Sequence, residues 1–230
     1  MPFSSSALTF FRGLTKHNNK PWFEAHRADY EREVRDPMRA LIEEMDVRFR
    51  RFAPEITGDP KRSMFRINRD IRFSKDKSPY KTHAACWFNH QSRSGKVGGE
   101  GEGGSAGFYF HLAPTGSFVG AGIWMPARPV LDKIRDAIAE NVRAFERLVR
   151  QPAVVKRYGG LDDDKVLKRM PRGFPEDHPG APWLRYQSFT IGRRLKQAEA
   201  IGPRLPALLE ADFKVMLPFV RWLNKAMGIG

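Results

Sequence analysis

The spacing of the apolar residues changes along this chain, and that change limits the folds it can adopt. Towards both ends the apolar residues recur at intervals of about three to four positions, which is typical of amphipathic helices. From Phe65 to Phe73 they occupy alternate positions, which is typical of a half-buried strand. The sequence therefore predicts an α+β fold, with an antiparallel sheet of about four or more strands flanked by N-terminal and C-terminal helices.

Capping residues, prolines and glycines give the expected bounds of the elements. The first helix is expected to be capped by Ser5 or Ser6 and to end near Gly13. Three further helices are predicted towards the N-terminus and the middle of the chain: Trp22 to Val34 behind an Asn19 cap, one that begins at Asp36-Pro37 and ends at Pro54, and one that follows Pro126 and Pro129 and runs to about Gln151. A last helix is predicted from Leu205 to Met227, with a kink at Pro218. The predicted strands are 65–73, His83 to His90, and a hairpin of Gly107 to Ala113 with Ser117 to Met125; shorter elements are expected in 152–200.

Composition places the chain in a broad class. Its 230 residues, of which 41% are hydrophobic and 12% aromatic, suit one globular domain over residues 1–230. The sequence contains no long uncharged apolar run of the kind that predicts a membrane span. Its first residues lack the pattern of a signal peptide. Cys86 is the only cysteine, so no internal disulfide is possible, and a cytoplasmic location is expected.

The positive charge of the chain is concentrated in one segment. The formal net charge is +14, and residues 61–81 carry eight basic side chains against only Asp70 and Asp76. A local excess of this kind favours an anionic partner, because clustered charges produce a field that steers anions. A generally basic protein with no such partner remains the alternative.

The run from Arg66 to Lys81 contains the candidate site. On a strand, Arg66, Asp70 and Arg72 project from one face, where guanidinium groups form a clamp for carboxylate or phosphate oxygens. The turn that follows is expected to bring a carboxylate, an ammonium and a phenol together. The predicted ligand-binding residues are Arg66, Arg69, Asp70, Arg72, Asp76, Lys77 and Tyr80.

Arg69 interrupts the apolar face of the predicted strand. Because an unpaired buried guanidinium is costly, Arg69 is expected to have a carboxylate partner or to lie at the sheet edge. The alternative to a binding site is an ion-pair network that fastens this strand to the helical layer.

The run RINRDIRFSKDKSPYK resembles the signature of the bacterial family called domain of unknown function 2461. The resemblance extends over nearly the whole chain, including Asn18 to Phe23, Gly107 to Tyr109, and Pro171 to Phe174. Because the function of that family is not established, the resemblance implies no reaction, cofactor or catalytic residue.

Several other constellations are weaker. His83 and His111 can meet across neighbouring strands, with Asp177-His178 as a possible third member, but no metal site is predicted. The acidic run Asp162 to Asp164 indicates the start of a helix. Cys86 is expected to be a small thiol in the core, and the glycine-rich stretch 95–107 is expected to be a flexible hairpin loop.

Three functions follow from these residues. The preferred hypothesis is that the protein binds a small phosphate- or carboxylate-bearing ligand in a pocket beside residues 66–81. No cofactor is predicted. The second is nucleic-acid binding, with Arg193, Arg194 and Lys196 added to the basic surface, although the nearby aromatic residues are expected to face the core. The third is a phosphate-ester hydrolase or nuclease. Oligomeric state and ligand identity stay open.

Overall fold

The structure is a computed structural model that describes residues 3–72, 75–92 and 104–230. It combines helices with an antiparallel sheet and thereby confirms the predicted α+β fold. The helices are α1 (Ser5–Lys16), α2 (Lys20–Ala25), α3 (Arg27–Tyr30), α4 (Asp36–Phe52), α5 (Pro60–Ser63), α6 (Arg128–Glu140), α7 (Val142–Val149), α8 (Pro152–Tyr158), α9 (Ala181–Leu184), α10 (Gln197–Ala200) and α11 (Leu205–Ala226), with a π-helical segment at Glu31–Arg35. The strands are β1 (Ile56–Thr57), β2 (Ala84–His90), β3 (Gly107–Leu112), β4 (Phe118–Ile123) and β5 (Phe189–Arg194).

The N-terminal helices begin at side-chain caps. Ser4, not Ser5 or Ser6, caps α1, because its hydroxyl accepts the Ser6 amide at 3.1 Å. Asn19 caps α2 as predicted and accepts the Trp22 amide at 3.0 Å. The predicted helix from Trp22 to Val34 is interrupted at His26, so that this stretch forms α2, α3 and most of the π-helical segment.

The five strands follow one another in space in the order of the chain, and every neighbouring pair is antiparallel. The predicted hairpin is present as β3 and β4. The sequence missed β1 and β5, which extend the sheet at its two edges. β5 lies in the stretch where prolines and glycines indicated only short elements, because its six residues have too few alternations to stand out.

One face of the sheet is covered by α4 and α11 and forms the core. Phe88 of β2 and Phe108 of β3 contact Phe49 of α4, with ring centroids 5.0 and 5.8 Å apart. Phe213 of α11 stacks on Phe108 at 4.4 Å. Because these rings occupy alternate strand positions, the residues between them point to the opposite face of the sheet. Cys86 belongs to the covered face, is fully buried, and is the core thiol that the sequence predicted.

Residues 65–73 do not form the predicted strand. Among the described residues, Met64 and Asn68 make only isolated bridges, to Cys86 and Tyr80, and Phe73 lies outside the described residues. The chain leaves β2 after Phe65 and pairs with its own residues 79–81, which ends the regular ladder. The predicted alternation survives in burial, because Ile67 is 9% exposed whereas the even-numbered residues 66–72 are exposed.

The expected long helix after Pro129 is divided at Asn141. This residue ends α6, and its side-chain oxygen accepts the Ala144 amide at 3.0 Å to begin α7. The predicted C-terminal helix is confirmed as α11, which contains Pro218. The predicted glycine-rich loop falls largely on residues 93–103, outside the described residues, and Gly107 begins β3. No helix of the described ranges is long and apolar enough to cross a membrane.

Candidate functional site

The described residues of the Arg66 to Lys81 segment, 66–72 and 75–81, form a short ribbon beside β2. The Phe65 amide donates to the Ala85 carbonyl at 3.1 Å, which attaches the ribbon to the sheet. Within the ribbon, the Arg69 amide donates to Pro79 at 2.9 Å and the Lys81 amide donates to Ile67 at 2.8 Å. The basic segment is therefore held at a fixed place beside the sheet by backbone hydrogen bonds.

Most charged residues of this ribbon are exposed, and four of them form two ion pairs with one another. Arg72 donates to both oxygens of Asp70, and these bonds lower the pKa of Asp70 to about 2. Arg69 forms the predicted ion pair with a carboxylate, that of Asp76. The pKa of Asp76 is also lowered to about 2, first by hydrogen bonds from Ser78 and then by Arg69. Arg66 is exposed beside these pairs.

The two remaining predicted residues have structural contacts. The Lys77 ammonium donates to the Ile71 carbonyl at 2.9 Å, which joins the two described sides of the ribbon. Tyr80 is only 5% exposed, and its ring stacks on Phe23 at 4.2 Å. Asn18 donates to the Tyr80 carbonyl and accepts its amide, so Tyr80 anchors the ribbon to the N-terminal helices.

A large concavity lies beside this ribbon, on the sheet face opposite α4 and α11. It is a trough of about 710 Å³, within the size range of small-molecule sites. It is lined by Phe65, Trp87, Tyr109, Gly116, Phe118, Gly120, Ala121, Trp124, Asp162, Asp164, Thr190, Ile191, Gly192, Arg193 and Arg194. None of the seven predicted site residues lines it, and Phe65, directly before the ribbon, is the lining residue from this part of the described chain.

One side of the trough is a wall of aromatic rings. Trp87 of β2 is paired with Tyr109 of β3, and their ring centroids are 6.1 Å apart. Tyr109 also contacts Phe65 at 5.9 Å and Phe118 at 5.3 Å. Trp124, directly after β4, is 53% exposed at the margin. The expectation that the aromatic residues all face the core is therefore wrong for Trp87 and Phe65, which line the trough on the open face.

Glycines form the floor of the trough. Tyr109 is paired with Gly120 of β4, which is paired in turn with Gly192 of β5. A Cβ atom at Gly192 would lie 2.8 Å from the Val119 carbonyl oxygen, and one at Gly120 would lie 3.2 Å from that of Ile191. Glycine thus permits the close approach of β4 and β5, and it also leaves bare backbone on which a flat group can rest.

One end of the trough is acidic. Thr190 donates its hydroxyl to Asp162 at 2.8 Å, and the Asp162 amide donates to the Thr190 carbonyl at 2.9 Å. Burial raises the pKa of Asp162, because it disfavours the charged carboxylate. Asp164 lines the same end. The predicted helix start at 162–164 is wrong: this stretch is a loop that binds the edge of β5.

The opposite end of the trough is basic. Arg194 is exposed and lies across from Phe118 in the strand register. Arg193 points to the covered face, where it donates to the buried Asp212 at 3.0 Å and to Glu199 at 3.2 Å. Arg194 is therefore the guanidinium of this strand that remains directed to the open face.

Two histidines lie behind the aromatic wall. The rings of His83 and His111 stack at 4.3 Å, as the sequence predicted. The Tyr109 hydroxyl lies 3.2 Å from Nδ1 of His111. Burial lowers the pKa of each histidine to about 4, so both rings are neutral at pH 7. His178 lies elsewhere, with Nδ1 accepting the Gly180 amide. No group of three metal-ligating side chains is present in the described part of the chain.

Sequence reasoning missed the trough because its members are distant in the chain. One usable signal was present in β3, where aromatic residues occupy both the even and the odd positions and therefore both faces of the strand. Phe108 and Phe110 lie on one face, and Tyr109 and His111 lie on the other. Rings on both faces of one strand indicate that the second face is more than solvated surface. The contact between Asp162 and Thr190 had no such signal.

Comparison with protein families gives one match. The model of the family described as conserved hypothetical protein (DUF2461) matches residues 6–222. Comparison with curated proteins and with solved structures finds no significant match.

Proposed function

The chain belongs to the DUF2461 family of conserved hypothetical proteins, and from that premise we propose that it binds a small anionic ligand that carries a flat ring. The description of the family names no activity, so the site alone supports the proposal. The ring lies in the trough on the open face of the sheet, and its phosphate or carboxylate faces Arg194.

The single observation that carries this proposal is the combination of an aromatic wall with a glycine floor in one trough. Rings prefer offset-stacked or edge-to-face contacts with other rings, which Trp87, Tyr109 and Phe118 offer. The bare backbone at Gly120 and Gly192 admits a flat group that any larger residue would displace. A mainly apolar concavity with a few polar groups is the usual form of a ligand site.

The anionic part of the ligand is supported by the placement of positive charge. Arg194 stands at one end of the trough, and a guanidinium suits the paired oxygens of phosphate or carboxylate. The basic ribbon borders the same trough through Phe65, over whose ring the Lys81 ammonium lies at 5.3 Å. In this proposal Arg66 and Arg72 steer anions towards the trough instead of holding them.

The test compares ligands that carry the ring, the anion or both. The four ribonucleoside monophosphates, the corresponding nucleosides and inorganic phosphate are titrated at equal ionic strength, with the fluorescence of Trp87 and Trp124 as the signal. We expect saturable binding of at least one monophosphate, and binding at least about tenfold weaker for the nucleosides and for phosphate.

Arg194→Ala is the matching variant. It should weaken monophosphate binding about tenfold or more, because it removes a charge-assisted contact. Arg50→Ala is the control: Arg50 has the same charge and is exposed on α4, which packs on the other sheet face. Equal affinities of both variants and the unmodified protein would refute the proposed anion site.

Binding of single-stranded nucleic acid is the second candidate, and it is favoured by Trp87, Tyr109 and Phe118 lying on three neighbouring strands. Aromatic side chains spread across an open sheet stack successive bases in known single-strand binders. This candidate predicts that affinity rises steeply with oligonucleotide length and falls steeply with salt. A mononucleotide that binds as tightly as an oligonucleotide would decide for the small ligand.

A phosphate-ester hydrolase or nuclease has less support. Its candidate carboxylates each form an ion pair with a different guanidinium: Asp70 with Arg72, and Asp76 with Arg69. It stays a prediction from the sequence.

A further inference from the structure

The two ends of the trough are fixed relative to each other by one strand. Thr190 and Arg194 are four residues apart on β5, so their side chains share a face and their Cα atoms are about 13 Å apart. That length exceeds what a lone phosphate or a lone ring fills. A ligand that contacts both ends must therefore be elongated, with its ring between two different polar groups.

The end at Thr190 offers hydrogen-bond acceptors. Asp162 uses Oδ2 to accept the Thr190 hydroxyl, and no bond to its Oδ1 is formed within the described ranges. Asp164 adds a second carboxylate. Of the two arginines that line the trough, Arg193 is held by Asp212 and Glu199, and Arg194 lies at the far end.

A ligand group that meets this end must be a donor. An amino group satisfies a carboxylate, whereas a carbonyl oxygen in the same place sets two acceptors against each other and leaves both unpaired. The opposite end requires an anion. The charges of the trough are thus complementary to a flat ring with an amino group at one end and a phosphate at the other.

We infer that the trough takes nucleoside monophosphates whose base carries an exocyclic amino group, with that group donating to Asp162 and the phosphate facing Arg194. The inference rests on the proposed function and narrows its ligand class. It separates cytosine, adenine and guanine nucleotides from those of uracil and thymine.

Cytidine and uridine monophosphate form the matched pair for the test. They have the same charge, sugar and ring size, and they differ at the amino or carbonyl group and at the neighbouring ring nitrogen. We expect cytidine monophosphate to bind about tenfold or more tightly than uridine monophosphate, because a carbonyl oxygen set against the Asp162 carboxylate replaces a hydrogen bond by the repulsion of two acceptors. Tryptophan fluorescence titration and calorimetry at one salt concentration measure the ratio.

Asp162→Asn is the diagnostic variant. An asparagine amide has nearly the shape of the carboxylate but can also donate to a carbonyl oxygen, so the preference for cytidine monophosphate should disappear or reverse. Asp163→Asn is the matched control, because Asp163 has the same charge and is exposed but does not line the trough. Arg194→Ala should weaken both nucleotides by the same factor and leave their ratio unchanged.

The outcomes distinguish the inference from the proposed function. Equal binding of cytidine and uridine monophosphate, or an unchanged preference in Asp162→Asn, overturns the inference and leaves the anionic-ligand proposal standing. Failure of all four monophosphates to bind overturns the proposed ligand class and the inference with it. A preference abolished by Asp162→Asn but not by Asp163→Asn supports both.

Discussion

At the scale of single residues, the same side-chain type has different roles according to the face on which it lies. Arg193 and Arg194 are neighbours, yet Arg193 is bound to Asp212 under the sheet while Arg194 is exposed on the open face. Tyr80 and Tyr109 differ in the same way, since one anchors the ribbon and the other lines the trough. Residue type alone therefore does not identify a binding residue in this chain.

The stacked histidines make the stability of the protein depend on pH. The pKa of His83 and that of His111 are about 4 in the folded protein, below the ordinary value of 6.5. The unfolded chain therefore binds more protons between pH 6.5 and 4, so this stability is complete above 6.5 and is lost as the pH falls towards 4. We expect a loss of about 2 kcal/mol per ring, after allowance for solvent screening.

Urea unfolding at pH 7.5 and at pH 5 measures this effect. His83→Gln should reduce the difference in unfolding free energy between the two pH values, whereas His17→Gln, which alters an exposed histidine, should leave it unchanged. The same pH dependence in His83→Gln and in the unmodified protein would show that the ring pair does not titrate in this way.

At the scale of elements, a buried carboxylate joins three parts of the fold. Asp212 of α11 is 0% exposed and accepts hydrogen bonds from Arg157 at 2.6 Å, Tyr158 at 3.0 Å and Arg193 at 3.0 Å. The first two donors lie on α8 and the third on β5. This network holds β5 against α11 and keeps the Arg193 guanidinium on the covered face of the sheet.

Asp212→Asn should therefore be strongly destabilising. It removes the buried carboxylate that Arg157 and Arg193 share and leaves only Glu199 beside Arg193, which costs about 3–5 kcal/mol in unfolding free energy. Glu210→Gln on the same helix is the control, because Glu210 pairs with Lys214 and Arg48 near the surface, where such pairs contribute about 1 kcal/mol or less. Similar costs for the two variants in urea unfolding would argue against the network as the main tie between these elements.

In the molecule as a whole, the basic ribbon lies next to the trough, and the two meet at Phe65. The net charge of +14 gives a general attraction for anions, and the ribbon concentrates it next to Phe65. Long-range attraction changes the rate of association more than the rate of dissociation, because the bound contacts are unaltered.

The double variant Arg66→Gln with Arg72→Gln should slow the association of cytidine monophosphate about threefold and leave its dissociation rate nearly unchanged. This slowing of association should vanish at an ionic strength of about 1 M, where the Debye length is about 3 Å. Stopped-flow tryptophan fluorescence measures both rates. Arg50→Gln with Arg51→Gln on α4 removes the same charge on the other side of the sheet; an equal slowing there would show that only net charge matters.

Much of the fold could be predicted from the sequence because it depends on local patterns. Alternation at 65–72 gave the correct exposed and buried sides of the ribbon even though no regular strand forms. The interruption at Arg69 predicted a carboxylate partner, and Asp76 is that partner. The Asn19 cap, the helical spacing of the apolar residues in α4 and the family signature are likewise recognised over short distances along the chain.

Short-range patterns in the sequence are enough to predict the α+β class, the family and the clustering of positive charge in residues 61–81. The position of the trough depends instead on contacts between residues that are far apart in the chain. Trp87, Gly120 and Gly192 meet because three strand pairings set their register, and Asp162 reaches Thr190 across 28 positions of chain. Local periodicity predicts the two faces of a strand, but it does not predict which face the helices cover. The packing of α4 and α11 on one face leaves the aromatic face with Trp87 and Tyr109 open.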